Sequence, residues 1–424
     1  MMLDEAHIDT ALQRMADAFL SQPRHTENGA QGWGQFLNRH GDQQVGLYGT
    51  CAGVIVISLA YGGRRIPQEV IDYLSHRWVH RGDILTKGPI DFALTLRLAW
   101  FFLALKLADR AEFNNIVREV DVELQSRIVD DFWVDWQIGA QNRSQTASEY
   151  AAAIVILAYT LPLRGRNHEL IPEFIKKAAT RLQTRLKASE PSETPTIRVI
   201  LSAIVAALPR NALLRPIRKL VRSELRREDA YRPYSLRFVD YHYLNENYDI
   251  ASRRDYSVLP SAALEVLLAN GLASTQLGNL AALRHAGWLW DRTQETGFFS
   301  TSGNVLTTSK DQAWVALALD QCRNLLGANT RWNRALMRIT HFGFLWNLLL
   351  PIVVLGGSAL ISLAPDRVFD ALRGIGLMQA SKPTLEWWPY DVALIVQSIG
   401  LIVLTAAGQP LGSRAINYVR GLLP

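Results

Sequence analysis

The sequence contains little cysteine. Cys51 and Cys322 are its two cysteines in 424 residues, and both lie in apolar stretches with helical spacing. This scarcity excludes a disulfide-stapled fold and favours a reduced, cytoplasmic environment. The first residues also lack the Lys or Arg of an export signal, and they carry Asp4 and Glu5 instead. We therefore expect the N-terminal segment to be a helix of the fold.

Charge is absent from two long runs near the C-terminus. Residues 339–365 and 392–413, which are 27 and 22 residues long, contain no Asp, Glu, Lys or Arg. Each run is long enough to cross a hydrocarbon core of about 30 Å. They predict a transmembrane hairpin over 336–424, with spans at about 340–364 and 391–411. The excess of Arg outside the spans places both termini in the cytoplasm, as expected at a bacterial inner membrane.

Small and polar residues interrupt the two apolar runs. Polar side chains inside lipid need partners, which a second copy of the chain can supply, so we expect an oligomeric helix bundle. A simple membrane anchor, which tolerates such residues, is the alternative. The residues concerned are Asn347, Gly356, Gly357, Ser358, Gln397 and Ser398.

Catalytic motifs are missing as well. The chain has no Gly-x-Ser-x-Gly, no Walker loop and no metal-ligand spacing among its Cys and His residues, so we expect no catalytic residue and no cofactor. The weak exception is "DDFWVD", in which Asp131 and Asp135 would share a helix face and could bind a divalent ion. We favour the alternative that Asp130 or Asp131 ends a helix.

Strand signals are few in residues 1–335, whereas apolar helical segments recur. Each apolar segment is followed by a more charged, amphipathic one, and the N-terminal helix supplies the remaining amphipathic partner. This alternation predicts an all-α domain, an (α/α)6 toroid with an inner ring of apolar helices covered by an outer ring. The central residues of the apolar segments are Ala52, Leu94, Ala151, Val199, Ala262 and Ala313.

Loops rich in aromatic residues lead into several of these helices, as in "GWGQFLNRHGDQQVGLYGTCAGVIVISLA" and "VDWQIGAQNRSQTASEYAAAIVILAY". Thr50, Ser148 and Ser309 lie at or near the junctions. In these units the chain resembles the terpenoid cyclase and protein prenyltransferase superfamily, and the resemblance implies a toroid over about residues 1–330. The chain departs from the family's chemistry, because it has neither the acidic Asp-x-Asp-Asp motif of the cyclases nor zinc-ligand spacing.

The loops that precede the inner helices of a toroid gather at one end, so we expect their side chains to line a common mouth. Aromatic rings stack on bases, amides read base edges and Arg binds phosphates, which predicts a nucleotide or a short single-stranded nucleic acid as ligand. The alternative for each aromatic side chain is that it plugs the end of the barrel. The predicted mouth residues are Trp33, Phe36, Asn38, Trp133, Trp136, Gln141, Asn142, Arg143, Tyr241, Tyr243, Asn245, Asn247, Arg253, Arg254, Phe299 and Lys310.

A basic stripe follows the fourth apolar segment. Its members recur at helical spacing and would share one face, which suits either nucleic-acid phosphates or the anionic inner leaflet. A plain solvated face is the third alternative. The stripe consists of Arg215, Arg218, Lys219, Arg222 and Arg226, in a chain with a net charge of +6.

These features together predict a membrane-anchored sensor. In outline the chain resembles the transmembrane effectors of bacterial anti-phage defence, in which a ligand-binding domain controls an oligomeric pore or ion channel. That resemblance implies membrane lipids, further copies of the chain and a neighbouring nucleotidyltransferase as partners. The alternative is a membrane-bound terpene or prenyl-lipid cyclase or transferase, and a passive membrane-tethered scaffold is a third hypothesis.

Overall fold

The computed structural model describes the following residues: 5–25, 29–34, 37, 45–80, 94–129, 132–137, 144–147, 149–163, 168–188, 196–225, 239–243, 254–258, 261–270, 276–293, 297–299 and 308–327. The chain divides into two compact units, Met1–Asn329 and Thr330–Pro424. The predicted hairpin and its residues Asn347, Gly356, Gly357, Ser358, Gln397 and Ser398 lie outside the described residues. No helix in the described part of the chain is long and apolar enough to cross a membrane.

Helices dominate the first unit, which confirms the predicted all-α class. The bounds of the twelve described helices are α1 Glu5–Ser21, α2 Leu47–Tyr61, α3 Gln68–Val79, α4 Leu94–Ala108, α5 Asn114–Ser126, α6 Glu149–Thr160, α7 Glu173–Ala188, α8 Thr196–Ala207, α9 Arg215–Glu224, α10 Ser261–Asn270, α11 Gln276–Thr293 and α12 Ser309–Gly327. Each of the six residues predicted at the centre of an apolar segment lies in an even-numbered helix.

The even-numbered helices are buried on nearly all sides. In α6 every residue from Ala151 to Thr160 is buried, and in α2 the same holds from Gly49 to Ser58. Such helices have no polar face for water, so they must be enclosed by other elements. We call these six the inner helices.

The odd-numbered helices bury one face only. Buried residues in α1 recur at Ile8, Leu12, Met15 and Phe19, which is the spacing of a single helix face. The same pattern gives α7 and α9 one apolar stripe and one exposed polar face. We call these six the outer helices.

The inner helices form a closed cycle of contacts. Along the chain α2 contacts α4, α4 contacts α6, α6 contacts α8, α8 contacts α10 and α10 contacts α12, and α12 then contacts α2. Outer helices cover this cycle, with α1 against α2 and α12, and α7 against α6 and α8. The core therefore lies within and immediately around six mutually packed apolar helices.

Side-chain contacts show that three inner helices, α2, α10 and α12, run in the same direction. Asn270, the last residue of α10, donates a hydrogen bond to Gln321 near the end of α12 at 2.8 Å. Arg323, also near the end of α12, donates to the carbonyl of Leu59 near the end of α2 at 3.4 Å. The same guanidinium donates to Asp9 near the start of α1 at 2.9 Å, so that outer helix runs in the opposite direction. We call the end at which the inner helices begin the mouth.

Three small antiparallel sheets lie in the connections that lead to inner helices. Strands β1 Arg24–His25 and β2 Gln31–Gly32 precede α2, and strands β3 Ile128–Val129, β4 Phe132–Gln137 and β5 Ser144–Ala147 precede α6. Strands β6 Val239–Tyr243 and β7 Arg254–Val258 form a hairpin before α10. Segments that the sequence predicts as loops are therefore partly paired strands.

Candidate ligand-binding site

Lys310 and Tyr150 meet at the mouth. Lys310 is the second residue of α12 and Tyr150 the second of α6, and these two helices occupy opposite places in the cycle of six. The Lys310 Nζ lies 5.8 Å from the centroid of the Tyr150 ring. A cation and an aromatic ring from opposite sides of the cycle thus come together.

Two tryptophans lie further along the inner helices. Trp314 follows Lys310 by one helical turn in α12 and therefore lies on the same side of that helix. Its ring packs edge to face on Trp100 of α4, with centroids 5.1 Å apart. Both side chains are buried, and within the described structure neither indole N–H has a hydrogen-bond partner. Each such buried N–H group lowers the stability of the fold by about 1–3 kcal/mol unless it finds a hydrogen-bond acceptor.

Trp33 is held in a different way, against the outer layer. It is 1% exposed, and its Nε1 donates a hydrogen bond to the carbonyl of Phe19 in α1 at 2.8 Å. Its ring covers Gly53 of α2 so closely that a Cβ at that glycine would lie 2.4 Å from the ring. These contacts favour the plugging role for Trp33 over contact with a ligand.

The hydroxyl groups of Thr50 and Ser309 fasten the same loop to two inner helices. The Thr50 hydroxyl accepts a hydrogen bond from the Trp33 amide at 3.3 Å and donates to the Gly46 carbonyl at 2.7 Å. The Ser309 hydroxyl donates to the Gly34 carbonyl. Thr50 and Ser309, which the sequence places at the junctions between a loop and a helix, therefore link the starts of α2 and α12 through this loop. Ser148 lies outside the described residues.

Phe299 lies in the connection before α12 and packs beside that helix. Its ring is buried and packs edge to face on Trp288 at 5.5 Å. The side-chain amide of Gln312 binds both backbone groups of Phe299, accepting from its N–H at 2.7 Å and donating to its carbonyl at 2.9 Å. This arrangement fixes the connection that leads into α12.

Trp133 repeats the arrangement of Trp33 at the start of α6. It is 1% exposed, and its Nε1 donates to the carbonyl of Leu124 in the preceding outer helix at 2.9 Å. Trp136 lies three residues further along β4.

The β6–β7 hairpin contains three other predicted mouth residues, Tyr241, Tyr243 and Arg254. In its backbone register Tyr243 pairs with Arg254, and Tyr241 pairs with Tyr256.

The remaining predicted site residues lie outside the described residues, and their roles stay predictions. They are Phe36, Asn38, Gln141, Asn142, Arg143, Asn245, Asn247, Arg253, Arg226 and Asp131. Asp135 is described only as a residue of β4, and no cluster of three or more potential metal ligands occurs among the described residues. Its place on a strand excludes the helical i, i+4 pairing with Asp131 that the sequence analysis considered.

The basic stripe lies on the exposed face of α9. Arg215, Arg218, Lys219 and Arg222 are exposed, and within the described structure none of them forms an ion pair. The helix's acid, Glu224, is buried instead, where its Oε2 accepts a hydrogen bond from the Arg198 Nε of α8 at 3.0 Å.

A separate cluster of titratable groups lies near the end of α4. Lys106 Nζ lies 5.2 Å from the Phe102 ring and 5.3 Å from the Tyr159 ring, and the Tyr159 hydroxyl donates to Asp121. Burial lowers the pKa of the Lys106 amine from its ordinary value of 10.5, against the opposing effect of Asp121.

We expect Lys106 to make stability depend on pH in one direction. Because its pKa is lower in the folded state, the unfolded state binds more protons between the two pKa values, and stability rises with pH in that window up to about 10.5. In Lys106→Met this contribution is absent, so denaturation midpoints measured from neutral pH to pH 10.5 should rise less steeply than in the wild type. Lys177→Met, on an exposed surface, is the control. Parallel profiles for the wild type and Lys106→Met would contradict the prediction.

Tyr150, Trp100 and Trp314 were not predicted from the sequence as residues of the site. Lys310 and Trp314 are four residues apart, and that spacing could have indicated a shared face of α12. Tyr150 and Trp100 carry no comparable signal, because aromatic residues in an apolar helix are typical of any core.

Comparison of the chain with protein-family models, with curated proteins and with solved structures gives no match.

Proposed function

We propose that the six inner helices form the inner ring of an (α/α)6 toroid, and that its mouth binds an anionic ligand with an aromatic ring, such as a nucleotide or a short oligonucleotide. The observation that carries this proposal is the contact of Lys310 with Tyr150 across the cycle. The contact pairs an ammonium group, which suits a phosphate, with an aromatic ring, which suits a base.

The electrostatics of the mouth favour an anion. The starts of α6 and α12 meet at the Lys310–Tyr150 contact, so the positive ends of these two helix dipoles lie near the ammonium group. Backbone N–H groups at helix starts and an ammonium group are both suited to phosphate oxygens. Two helix starts together with a lysine would attract the phosphate groups of a ligand.

The two tryptophan side chains supply hydrogen-bond donors below the mouth. Trp100 and Trp314 belong to helices on either side of α2, and we infer that they meet inside the ring. A ligand whose ring oxygens or nitrogens reach this depth would accept hydrogen bonds from the two unpartnered indole N–H groups. Binding would thereby remove a cost that the free protein carries.

The helix that carries Lys310 and Trp314 is also the last described helix before the predicted membrane spans. We propose that ligand binding at the start of α12 alters this helix, and that the change reaches an oligomeric transmembrane pore formed by the C-terminal hairpin. The protein would then be a membrane-anchored sensing effector of a bacterial defence system, with the toroid in the cytoplasm. A neighbouring nucleotidyltransferase would supply the nucleotide signal.

Lys310→Ala should weaken nucleotide binding about 10- to 100-fold, because it removes a charge-assisted contact worth about 1.5–3 kcal/mol. Affinity would be measured by calorimetry on the purified full-length chain, against a panel of mono-, di- and oligonucleotides. Arg14→Ala removes an exposed charge on α1 and should leave affinity unchanged. Trp314→Phe should lower affinity with little loss of stability, since it removes an indole donor that has no partner.

The pore is tested separately. Full-length protein reconstituted in liposomes should show ion leak that responds to the nucleotide identified by calorimetry, and Lys310→Ala should reduce this response. Liposomes that stay tight with and without every nucleotide would contradict the effector.

The aromatic pair inside the ring also suits the rival function, a terpene or prenyl-lipid cyclase. Trp100 and Trp314 could stabilise a carbocation through their ring faces, and Asp311, buried in the first turn of α12, is a candidate acid. Incubation of the membrane-reconstituted chain with isoprenoid diphosphates distinguishes the two functions. Turnover would favour the enzyme, and stoichiometric nucleotide binding without turnover favours the sensor.

A further inference from the structure

The outer helices differ systematically in charge. In α1, α3 and α5, acidic residues outnumber Lys and Arg: three to one, two to one and three to one. In α7 and α9 the balance reverses, with five and four basic residues against one acid each. Successive parts of the outer layer are therefore acidic and then basic.

The surface of α9 is more basic than its sequence suggests. Glu224 falls at the spacing of the buried residues Ile217 and Val221, and Arg198 holds its carboxylate in the interior. The exposed face of α9 therefore carries cations without a carboxylate. The structure thus removes from the surface the one acid that would have screened them.

Helix α7 extends this surface. The two helices are in contact, and the Gln183 side chain of α7 accepts a hydrogen bond from the Leu214 amide at the start of α9 at 3.0 Å. Lys177 and Lys187 of α7 are exposed, and among the described groups neither forms an ion pair. We call the exposed cations Lys177, Lys187, Arg215, Arg218, Lys219 and Arg222 the basic sector.

Exposed leucines accompany the basic sector. Leu170 precedes α7 and is 62% exposed, and Leu214 precedes α9 and is 37% exposed. Cations with apolar side chains beside them are suited to the headgroup region of a bilayer.

The same surface is poorly suited to single-stranded nucleic acid. Such binding relies on aromatic rings on which bases stack. Helix α9 contains no aromatic residue, and the one in α7, Phe174, packs on Tyr159 at 5.4 Å. Charge without stacking surfaces therefore favours lipid over nucleic acid.

We propose that the basic sector docks on anionic lipid headgroups. This inference deepens the proposed membrane function, and it rests on that function for the identity of the membrane.

Site-specific labels on the full-length chain test the proposal. Ser223→Cys places a label on the exposed face of α9, and Ser126→Cys places a matched label at the exposed end of the acidic α5. The native cysteines are buried and should not react in the folded protein. The labels would be measured in vesicles of phosphatidylcholine alone or mixed with phosphatidylglycerol, each containing a lipid-attached quencher.

We expect quenching at position 223 to be several-fold stronger in the anionic vesicles, and quenching at position 126 to be the same in both. Arg215→Gln with Arg218→Gln and Arg222→Gln should reduce the signal at 223 to its level in neutral vesicles. Arg14→Gln with Arg64→Gln and Arg118→Gln removes equal charge from exposed sites elsewhere and should leave it unchanged.

Equal quenching at both positions, or no response to phosphatidylglycerol, would overturn the proposal. A DNA oligonucleotide that changes the signal of the label at position 223 without lipid, and that loses affinity in the α9 triple variant, would also overturn it. The surface would then be a nucleic-acid site. A failure of the pore is distinguishable, since liposomes can stay tight while the label at 223 still reports docking. If the chain does not insert into the bilayer, adding it to preformed vesicles still allows the quenching of the label at position 223 to be measured.

Discussion

Glu224→Ala should lower the free energy of unfolding of the helical unit by about 3–5 kcal/mol. The carboxylate is buried against Arg198, whose side chain is 1% exposed. Removing the carboxylate leaves the buried positive charge of the guanidinium with less opposite charge around it. Thermal or urea unfolding of the purified chain, followed by far-UV circular dichroism, would measure the loss. Glu69→Ala removes an exposed acid from α3 and should change stability by less than about 0.5 kcal/mol.

A double variant tests whether the charge causes this loss. Arg198→Met combined with Glu224→Leu replaces the pair with apolar side chains, and much of the lost stability should return. If Glu224→Ala unfolds at the wild-type midpoint, or if the double variant is less stable than the single one, the buried pair does not act as described.

Trp33→Ala should destabilise the helical unit by about 3–5 kcal/mol, because it leaves a cavity between α1 and α2. The same substitution removes the hydrogen bond to the Phe19 carbonyl and the contact with Gly53. Trp33→Phe keeps part of the packing and should lose less. Both would be measured by the same unfolding transition, together with nucleotide affinity at a temperature where each variant is folded.

The affinity measurement decides between the two roles of Trp33. If it plugs the ring, folded Trp33→Ala should bind nucleotide nearly as well as the wild type. A variant with a wild-type midpoint and a large loss of affinity would show instead that Trp33 contacts the ligand.

The helices could be predicted because their signals are local. Apolar runs such as Ala151 to Thr160 and the one-sided spacing of Ile8, Leu12 and Met15 are visible within a few turns of sequence. The hairpins before α6 and α10 were harder, since short strands with polar residues between them are read as loops.

The candidate site was only partly predictable, because it depends on residues far apart in the chain. Lys310 was predicted from its place before an inner helix, but its partner Tyr150 is 160 residues away and becomes a neighbour only when the ring closes. Trp100 and Trp314 looked like ordinary core residues until their N–H groups proved to lack partners. The inward position of Glu224 is visible in its spacing from the buried residues Ile217 and Val221.

The contacts that complete the cycle join the two extremes of the helical unit. Ser309 binds a loop 275 residues earlier, and Arg323 binds Asp9 across 314 residues. During synthesis α1 and α2 must therefore remain without their final neighbour until almost the whole unit has left the ribosome. Their apolar surface is an obvious target for chaperones in that interval, and a chain truncated before α12 should be a substrate for proteolysis.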